Sequence, residues 1–405
     1  MNRPTLLIAG GGTGGHVFPA VAVAEAAQAL ADVDVVFVGT DRGVEARVVP
    51  QRGWRLERLV VEPMKGGGPT RALRGAILAM RATLGAAAIV RRLRPRAVLS
   101  VGGYAAGPAT LAAALLGVPV AVLEANSSVG LANRLLAPFA GRAFLAWDEA
   151  APSFRARAVR QYGVPLRAGF GPVAYPPAGA TARVLVMGGS QGAAVLNERM
   201  PDVFARLAGD RARDGASEGV CDGASDRVTV RVLHQAGRDR DGAVRDAYAR
   251  ARIDHVTVVP FIDDVARAIA DADLVVARAG AGTIAELTAI GRPSILVPFP
   301  HAADDHQGRN AEVLARAGAA VCMRQERADA TSLAAELGRL LSDAGSRRAM
   351  ADAARRRGRP DAAHQVAREL LSLASIAERA PRESPADRAG ASERVSAHEP
   401  DRRWN

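Results

Sequence analysis

The sequence predicts an α/β fold of two domains, each a parallel sheet with helices on both faces. Apolar strand-like runs alternate with amphipathic segments along both halves of the 405 residues, the pattern of parallel strands joined by crossover helices. Four glycine-rich loops, two in each half, follow such runs. Gly10-Gly11-Gly12-Thr13-Gly14-Gly15-His16 comes after Leu6–Ala9, and Gly188-Gly189-Ser190-Gln191-Gly192 comes after Val184–Met187. Where a buried strand ends and a helix begins, missing side chains let backbone N–H groups and the positive helix end approach a phosphate. Two such halves predict two similar domains facing one anionic ligand across a cleft.

In the first half the expected strands are Leu6–Ala9, Val33–Val38, Leu56–Val61, Ala97–Val101, Val120–Leu123 and Ala143–Ala146, with helices such as Ala20–Leu30 and Ala72–Leu93 between them. The second half repeats the scheme with Val184–Met187, Val228–Leu233, Val256–Val259, Leu274–Ala277 and Ile295–Val297. The expected organisation is a first domain over 1–162 and a Pro- and Gly-rich linker over 163–180. A second domain follows over 181–345, with 208–227 as an inserted polar loop. A helical stretch over 346–375 crosses back to the first domain, and 376–405 is a disordered tail.

Composition narrows the function classes. The net charge is +11, but the cations are almost all Arg, Lys65 being the only lysine, and aromatics make up 4%. Arg is spread along the chain and rarely interleaved with aromatics, so nucleic acid is not an expected partner; a basic surface favours an anionic membrane or a phosphorylated substrate. Cys221 and Cys322 are too few and too far apart for a disulfide framework or a zinc site. Ala97–Leu123 runs 27 residues without charge, but Gly102-Gly103, Gly107-Pro108 and Gly117-Val118-Pro119 divide it into strand, loop, short helix and strand.

The loops carry the chemistry. The first also satisfies G-x-G-x-x-G at Gly10, Gly12 and Gly15, with Asp41 placed as the ribose acid of a dinucleotide site. Thr13 and His16, however, put a hydroxyl and an imidazole at the helix mouth, which a nicotinamide site does not need. The helix dipole keeps such a His neutral, which suits a general base; the alternative is a His that merely caps or packs. Ser100–Pro108 and Glu124-Ala125-Asn126 reach the same strand-end edge, where open α/β sheets bind ligands. Arg278–Glu286 frees a helix N-terminus for a diphosphate and offers Glu286 to a ribose, but Thr283–Glu286 has equally the spacing of a capping box. His301-Ala302-Ala303-Asp304-Asp305-His306-Gln307 suits sugar or base recognition better than a metal shell. Leu73, Ile77, Met80 and Leu84, flanked by Arg71, Arg74 and Arg81, fit an amphipathic face on an anionic bilayer and equally a helix covering a sheet.

Together these motifs resemble the MurG family of bacterial N-acetylglucosaminyltransferases, from Gly10 to about Leu373. The resemblance rests on G-G-T-G-G-H-x-x-P at Gly11–Pro19, G-G-Y-x-x-x-P at Gly102–Pro108, G-G-S-Q-G at Gly188–Gly192, F-I-D-D at Phe261–Asp264 and A-A-D-D-H-Q-x-x-N-A at Ala302–Ala311. Two motifs depart from it: Val164 stands for the Asn of the G-N-P-V-R that ends at Arg167, and Leu123-Glu124-Ala125-Asn126 replaces H-E-Q-N.

The resemblance implies a GT-B type fold of two Rossmann-like domains. It implies inverting transfer from UDP-N-acetylglucosamine to the 4-hydroxyl of an undecaprenyl-pyrophosphoryl muramyl-pentapeptide. His16 is the expected base, with Glu124 as second choice. Donor binding is expected from Arg167, Ser190, Ile262, Ala281, Gly282, Thr283, Ile284, Ala285, Glu286 and Gln307, and from Thr13, Gly14, Gly15 and Asn126 of the first domain. Ile262 would meet uracil through its backbone. No cofactor and no tightly bound metal are expected. The resemblance places the chain peripherally on the cytoplasmic face of the inner membrane, among the machinery of wall growth, cell shape and division. Alternatives are another lipid glycosyltransferase and a UDP-N-acetylglucosamine 2-epimerase-like isomerase.

Overall fold

The computed structural model describes residues 3–61, 69–154, 158–175, 179, 181–189, 192–214 and 229–379, with side chains of 69–77 and 210–214 outside the description. The chain divides into two compact units, one of 3–125, 129–167 and 361–379, the other of 126–128 and 168–360.

In the first unit, β1 (Thr5–Gly10), α1 (Gly14–Leu30), β2 (Asp34–Gly39), α2 (Glu45–Gln51), β3 (Arg55–Arg58) and α3 (Pro69–Leu93) form one half. The other half is β4 (Ala97–Gly102), α4 (Ala106–Leu115), β5 (Val120–Glu124), α5 (Leu131–Leu136), β6 (Arg142–Leu145) and β7 (Ala158–Gln161). All pairings are parallel, in the order β3-β2-β1-β4-β5-β6-β7. The uncharged stretch 97–123 is β4, α4 and β5, and among the described residues no helix is long and apolar enough to cross a membrane.

The second unit runs β8 (Thr181–Met187), α6 (Ala194–Asp214), β9 (Thr229–Gln235), α7 (Asp241–Arg250), β10 (Val256–Val259), α8 (Val265–Asp271), β11 (Leu274–Ala277) and α9 (Ala281–Ile290). It continues with β12 (Ser294–Leu296), α10 (His306–Arg316), β13 (Val321–Cys322), α11 (Ala330–Ser342) and α12 (Ala344–Arg357). Its six strands, also parallel, follow the order β10-β9-β8-β11-β12-β13. The fold is thus a pair of Rossmann-like domains of GT-B type. Strands buried on both faces read as continuous aliphatic runs: Leu6, Leu7 and Ile8, or Val184, Leu185 and Val186, are all buried.

Several segments differ from expectation for local reasons. The stretch expected as one returning helix is two. α12 packs against α9 in the second unit, and only α13 (Ala362–Leu373) joins the first, where Val366, Ala367, Leu370 and Leu371 enter the core beside Val17 and Val21 of α1. The polar insertion begins later than expected, because α6 stays helical to Asp214; 215–227 lie outside the described residues. Ile376–Arg379 is ordered: Arg379 N donates to Leu30 O and its guanidinium pairs with Asp32 at the end of α1. The rest of the expected tail lies outside the described residues. β7 and β13 are edge strands of four and two residues, too short for a period-2 signal.

In both sheets the strand order reverses between two central strands, β1 and β4 in one, β8 and β11 in the other. The four glycine-rich loops sit at the carboxyl ends of these four strands, where the reversal opens a crevice.

Candidate functional site

The first unit's edge is built by two loops pressed together. Gly11 N donates to Gly102 O at 3.3 Å. A Cβ at Gly103, whose φ is +90°, would overlap Gly11 O, so only glycine allows this approach. Thr13, Gly14, Gly15 and His16 form the first turn of α1, with Thr13 as N-cap. His16 is half-buried; its Nδ1 lies 3.2 Å from Gly11 O and 3.5 Å from Thr13 Oγ1. A carbonyl only accepts, so Nδ1 carries a proton in this contact. A Cβ at Gly102 would lie 3.2 Å from Nε2, tighter than an ordinary van der Waals contact, so the glycine there lets the two loops meet at the ring.

Glu124 closes β5 and is 3% exposed. Its Oε2 accepts from Asn133 Nδ2 at 3.0 Å and Gly130 N at 3.1 Å. Asn133 also donates to Leu123 O, and its Oδ1 accepts from Ser100 Oγ. Glu124 is therefore anchored inside a hydrogen-bonded network, whereas His16 reaches solvent. Arg167 extends over the Phe18 ring of α1, 6.0 Å from its centroid. Val164, in place of the family's Asn, is buried.

In the second unit, a Cβ at Gly192 (φ +70°) would overlap Ala236 O. Gln235 Nε2 donates to Gly189 O at 2.9 Å and Asn197 Nδ2 to Ala236 O at 2.8 Å, bracing the glycine loop against β9. Asn197 Oδ1 accepts from His234 Nε2 at 3.1 Å, and His234 Nδ1 accepts from Tyr248 OH at 2.9 Å. Burial pushes the His234 imidazole down to about 3, so it is neutral there. Ser190 and Gln191 lie outside the described residues.

α9 begins at Ala281 with Gly280 as N-cap and no side-chain cap. This rejects the capping-box alternative: Thr283 is already inside the first turn, and Glu286 is on the helix, half-buried. Arg278 donates to Val297 O at 3.1 Å and Pro298 O at 3.0 Å and covers the Phe299 ring, fixing the next loop; burial and neighbouring Arg199 lower its pKa. Ile262 is buried just before α8, which Asp264 caps through Arg267 N. Gln307, in the first turn of α10, accepts from Phe299 N at 3.0 Å.

The polar run at 301–307 has partners of its own. His301 packs edge-on to Phe299, His306 Nδ1 donates to Ala303 O at 2.7 Å, and Asp305 pairs with Arg324. Asn126, expected in the first domain, groups with the second unit: 126–128 follow Asn310, whose Oδ1 accepts from Ser127 N and Oγ and whose Nδ2 donates to Asn126 Oδ1. Sequence reading missed Asn133 and Asn197, because nothing in the spacing links them to Glu124 or the glycine loop. Asn310 had a signal, since it shares a helix face with Gln307 three residues earlier.

Comparison with known proteins agrees with this architecture. Residues 6–145 match the glycosyltransferase family 28 N-terminal domain and 183–366 its C-terminal domain. A Sorangium cellulosum protein named UDP-N-acetylglucosamine–N-acetylmuramyl-(pentapeptide) pyrophosphoryl-undecaprenol N-acetylglucosamine transferase is 49% identical over 382 residues, 93% of this chain and 89% of that protein. The crystal structure of Acinetobacter baumannii MurG is 30% identical, covers 91% of this chain and 99% of that one, and superposes with a TM-score of 0.71. A UDP-N-acetylglucosamine 2-epimerase, 14% identical over 92% of this chain and 96% of that one with a TM-score of 0.58, shares the fold alone. With both family domains in order and nearly half its residues identical to a relative over most of its length, the chain belongs to glycosyltransferase family 28, in the MurG family.

Proposed function

We propose that the chain is an inverting glycosyltransferase of peptidoglycan synthesis. It moves N-acetylglucosamine from UDP-N-acetylglucosamine to the 4-hydroxyl of muramyl-pentapeptide pyrophosphoryl-undecaprenol. The observation that carries this reading is the setting of His16 at the strand-end edge, with Nδ1 donating to Gly11 O, so that in the neutral ring Nε2 is the basic nitrogen. Nε2 takes the proton of the 4-hydroxyl as its oxygen attacks the anomeric carbon, and UDP leaves from the opposite face. One displacement inverts configuration and gives a β linkage. Glu124 is too enclosed for that task and serves by holding the loop after β5.

Donor recognition is assigned mainly to the second domain. The N–H groups of Ala281–Thr283, at a helix start with no side-chain cap, suit the diphosphate. Glu286 takes the ribose hydroxyls, the Ile262 backbone takes uracil, and Gln307 takes the sugar. Ser190 and Arg167 add diphosphate contacts, Asn126 adds a sugar contact, and Thr13, Gly14 and Gly15 complete the set. The donor negative charge that develops on leaving is met by helix N-termini and Arg167.

The lipid-linked acceptor fits a peripheral position on the inner face of the membrane. On α3 the sheet-facing residues are Ala82, Ala86 and Val90, while Met80 and Leu84 stand 60% and 65% exposed, with exposed Arg81 beside them. That favours the bilayer reading of this face over the sheet-covering one; the expected Leu73, Ile77, Arg71 and Arg74 lie outside the described side chains. The product feeds wall growth, which links the chain to cell shape and division.

The test is UDP release from UDP-N-acetylglucosamine with and without a short-chain lipid-linked muramyl-pentapeptide. Acceptor-dependent release is expected. Release without acceptor would point to isomerase or hydrolase chemistry, and would contradict the proposal.

A further inference from the structure

We infer that Glu45, outside all four glycine-rich loops, is a positioning residue for the transfer step: its buried carboxyl fixes Gly11 and Gly12 and, through them, the His16 ring. The inference rests on His16 as the base. Glu45 opens α2 and is 1% exposed. Oε2 accepts from Gly12 N at 2.7 Å, and Oε1 accepts from Thr40 N at 3.0 Å and Thr40 Oγ1 at 2.8 Å. Thr40 Oγ1 in turn accepts from Gly43 N at 3.2 Å. One carboxyl thereby cross-links the loops that follow β1 and β2.

The space for it is made by glycines. A Cβ at Gly11, Gly39 or Gly43 would overlap the Glu45 side chain. Val44 N adds a bond to Gly12 O at 3.3 Å. The Gly11 carbonyl, on the same peptide unit as Gly12 N, accepts from His16 Nδ1, and Gly11 N donates to Gly102 O. Few contacts therefore separate the carboxyl from the imidazole, all of them through the backbone of a loop that has no side chains of its own to hold its shape. An acid at a helix start normally works from solvent, and burying one is costly unless its oxygens are satisfied. Stability of the seven-residue α2 does not call for a carboxyl enclosed by three glycines; fixing the Gly10–Thr13 loop does.

The distinction is measurable on the full chain with Glu45→Gln, His16→Ala and the double variant. Transfer is assayed with both substrates saturating, UDP affinity by calorimetry and folding by thermal melt. Glu45→Gln is expected to lower kcat about 10- to 100-fold, since small misplacements of a reacting group cost that much. UDP affinity should stay within about 2-fold. In the His16→Ala background the same change should lower the residual rate by less than about 2-fold, because the group it acts through is gone. An unchanged kcat for Glu45→Gln, or an equal loss in both backgrounds, would overturn the inference. Full activity of His16→Ala would instead remove the base reading and this route with it. If Glu45→Gln does not fold, Thr40→Val removes one donor while leaving both backbone N–H partners; it carries the same cycle with an expected loss of about 3- to 10-fold, one hydrogen bond's worth.

Discussion

The two domains share one backbone plan and differ in what their loops present. Each sheet reverses strand order between two central strands, and each puts a pair of glycine-rich loops at their carboxyl ends. At the first edge the side chains can move or hold protons: His16, with Glu45 and Glu124 locked behind it by amides. At the second edge the polar groups have fixed character: the uncapped start of α9, the clamped Arg278, and a His234 too buried to charge. The same topology thus yields one edge suited to proton transfer and one suited to holding an anion. The backbone supplies the place, and the loop residues supply the chemistry.

This contrast is breakable from either side. The largest effect is expected from His16→Ala, which should lower kcat by about 10²- to 10⁴-fold, the ordinary contribution of a positioned base; steady-state transfer at saturating substrates checks it. On the other side, Glu286→Ala should raise the donor KM by about 10- to 100-fold with a much smaller change in kcat, as expected for losing hydrogen bonds to a charged group. Stability separates the domains as well. Leu370→Ala empties a fully buried site of α13 in the first domain. It should cost about 2–5 kcal/mol in denaturant unfolding and leave UDP affinity unchanged.

The smallest effect is a pH dependence confined to the second domain. The folded His234 pKa, about 3, lies below its ordinary value of 6.5. Between these values the unfolded chain binds more protons than the folded one, so stability is complete above pH 6.5 and is lost as pH falls towards 3. The loss is at most about 1.4 kcal/mol per pH unit. Thermal melts from pH 7 to 5 should show a steeper decline for the natural chain than for His234→Gln; equal slopes would remove this assignment.

Much of this plan was legible in the residues. Strands buried on both faces are aliphatic runs that end in glycine, so β1, β4, β8 and β11 and their loops announce themselves. Edge strands such as β7 and β13 do not, because two to four residues cannot show a period. The boundary of α9 was ambiguous for a physical reason: Thr283 and Glu286 have cap spacing, and only the backbone shows the helix starting at Ala281. The network behind the site was hidden altogether. Glu45 and Asn197 hold backbone groups more than thirty residues away and Asn133 holds Ser100 and Glu124, and pairings between separate segments leave no local pattern. The α12–α13 junction was equally silent, since both helices have ordinary amphipathic sequences and only packing tells which domain each joins.

The central claim is that proton transfer belongs to the first edge and donor binding mainly to the second. Calorimetric titration of UDP-N-acetylglucosamine into His16→Ala and Glu286→Ala, side by side, tests it most directly. The account predicts a Kd within about 2-fold of the natural chain for His16→Ala and about 10- to 100-fold weaker for Glu286→Ala. Loss of donor affinity in His16→Ala, or its full retention in Glu286→Ala, would contradict the division of roles.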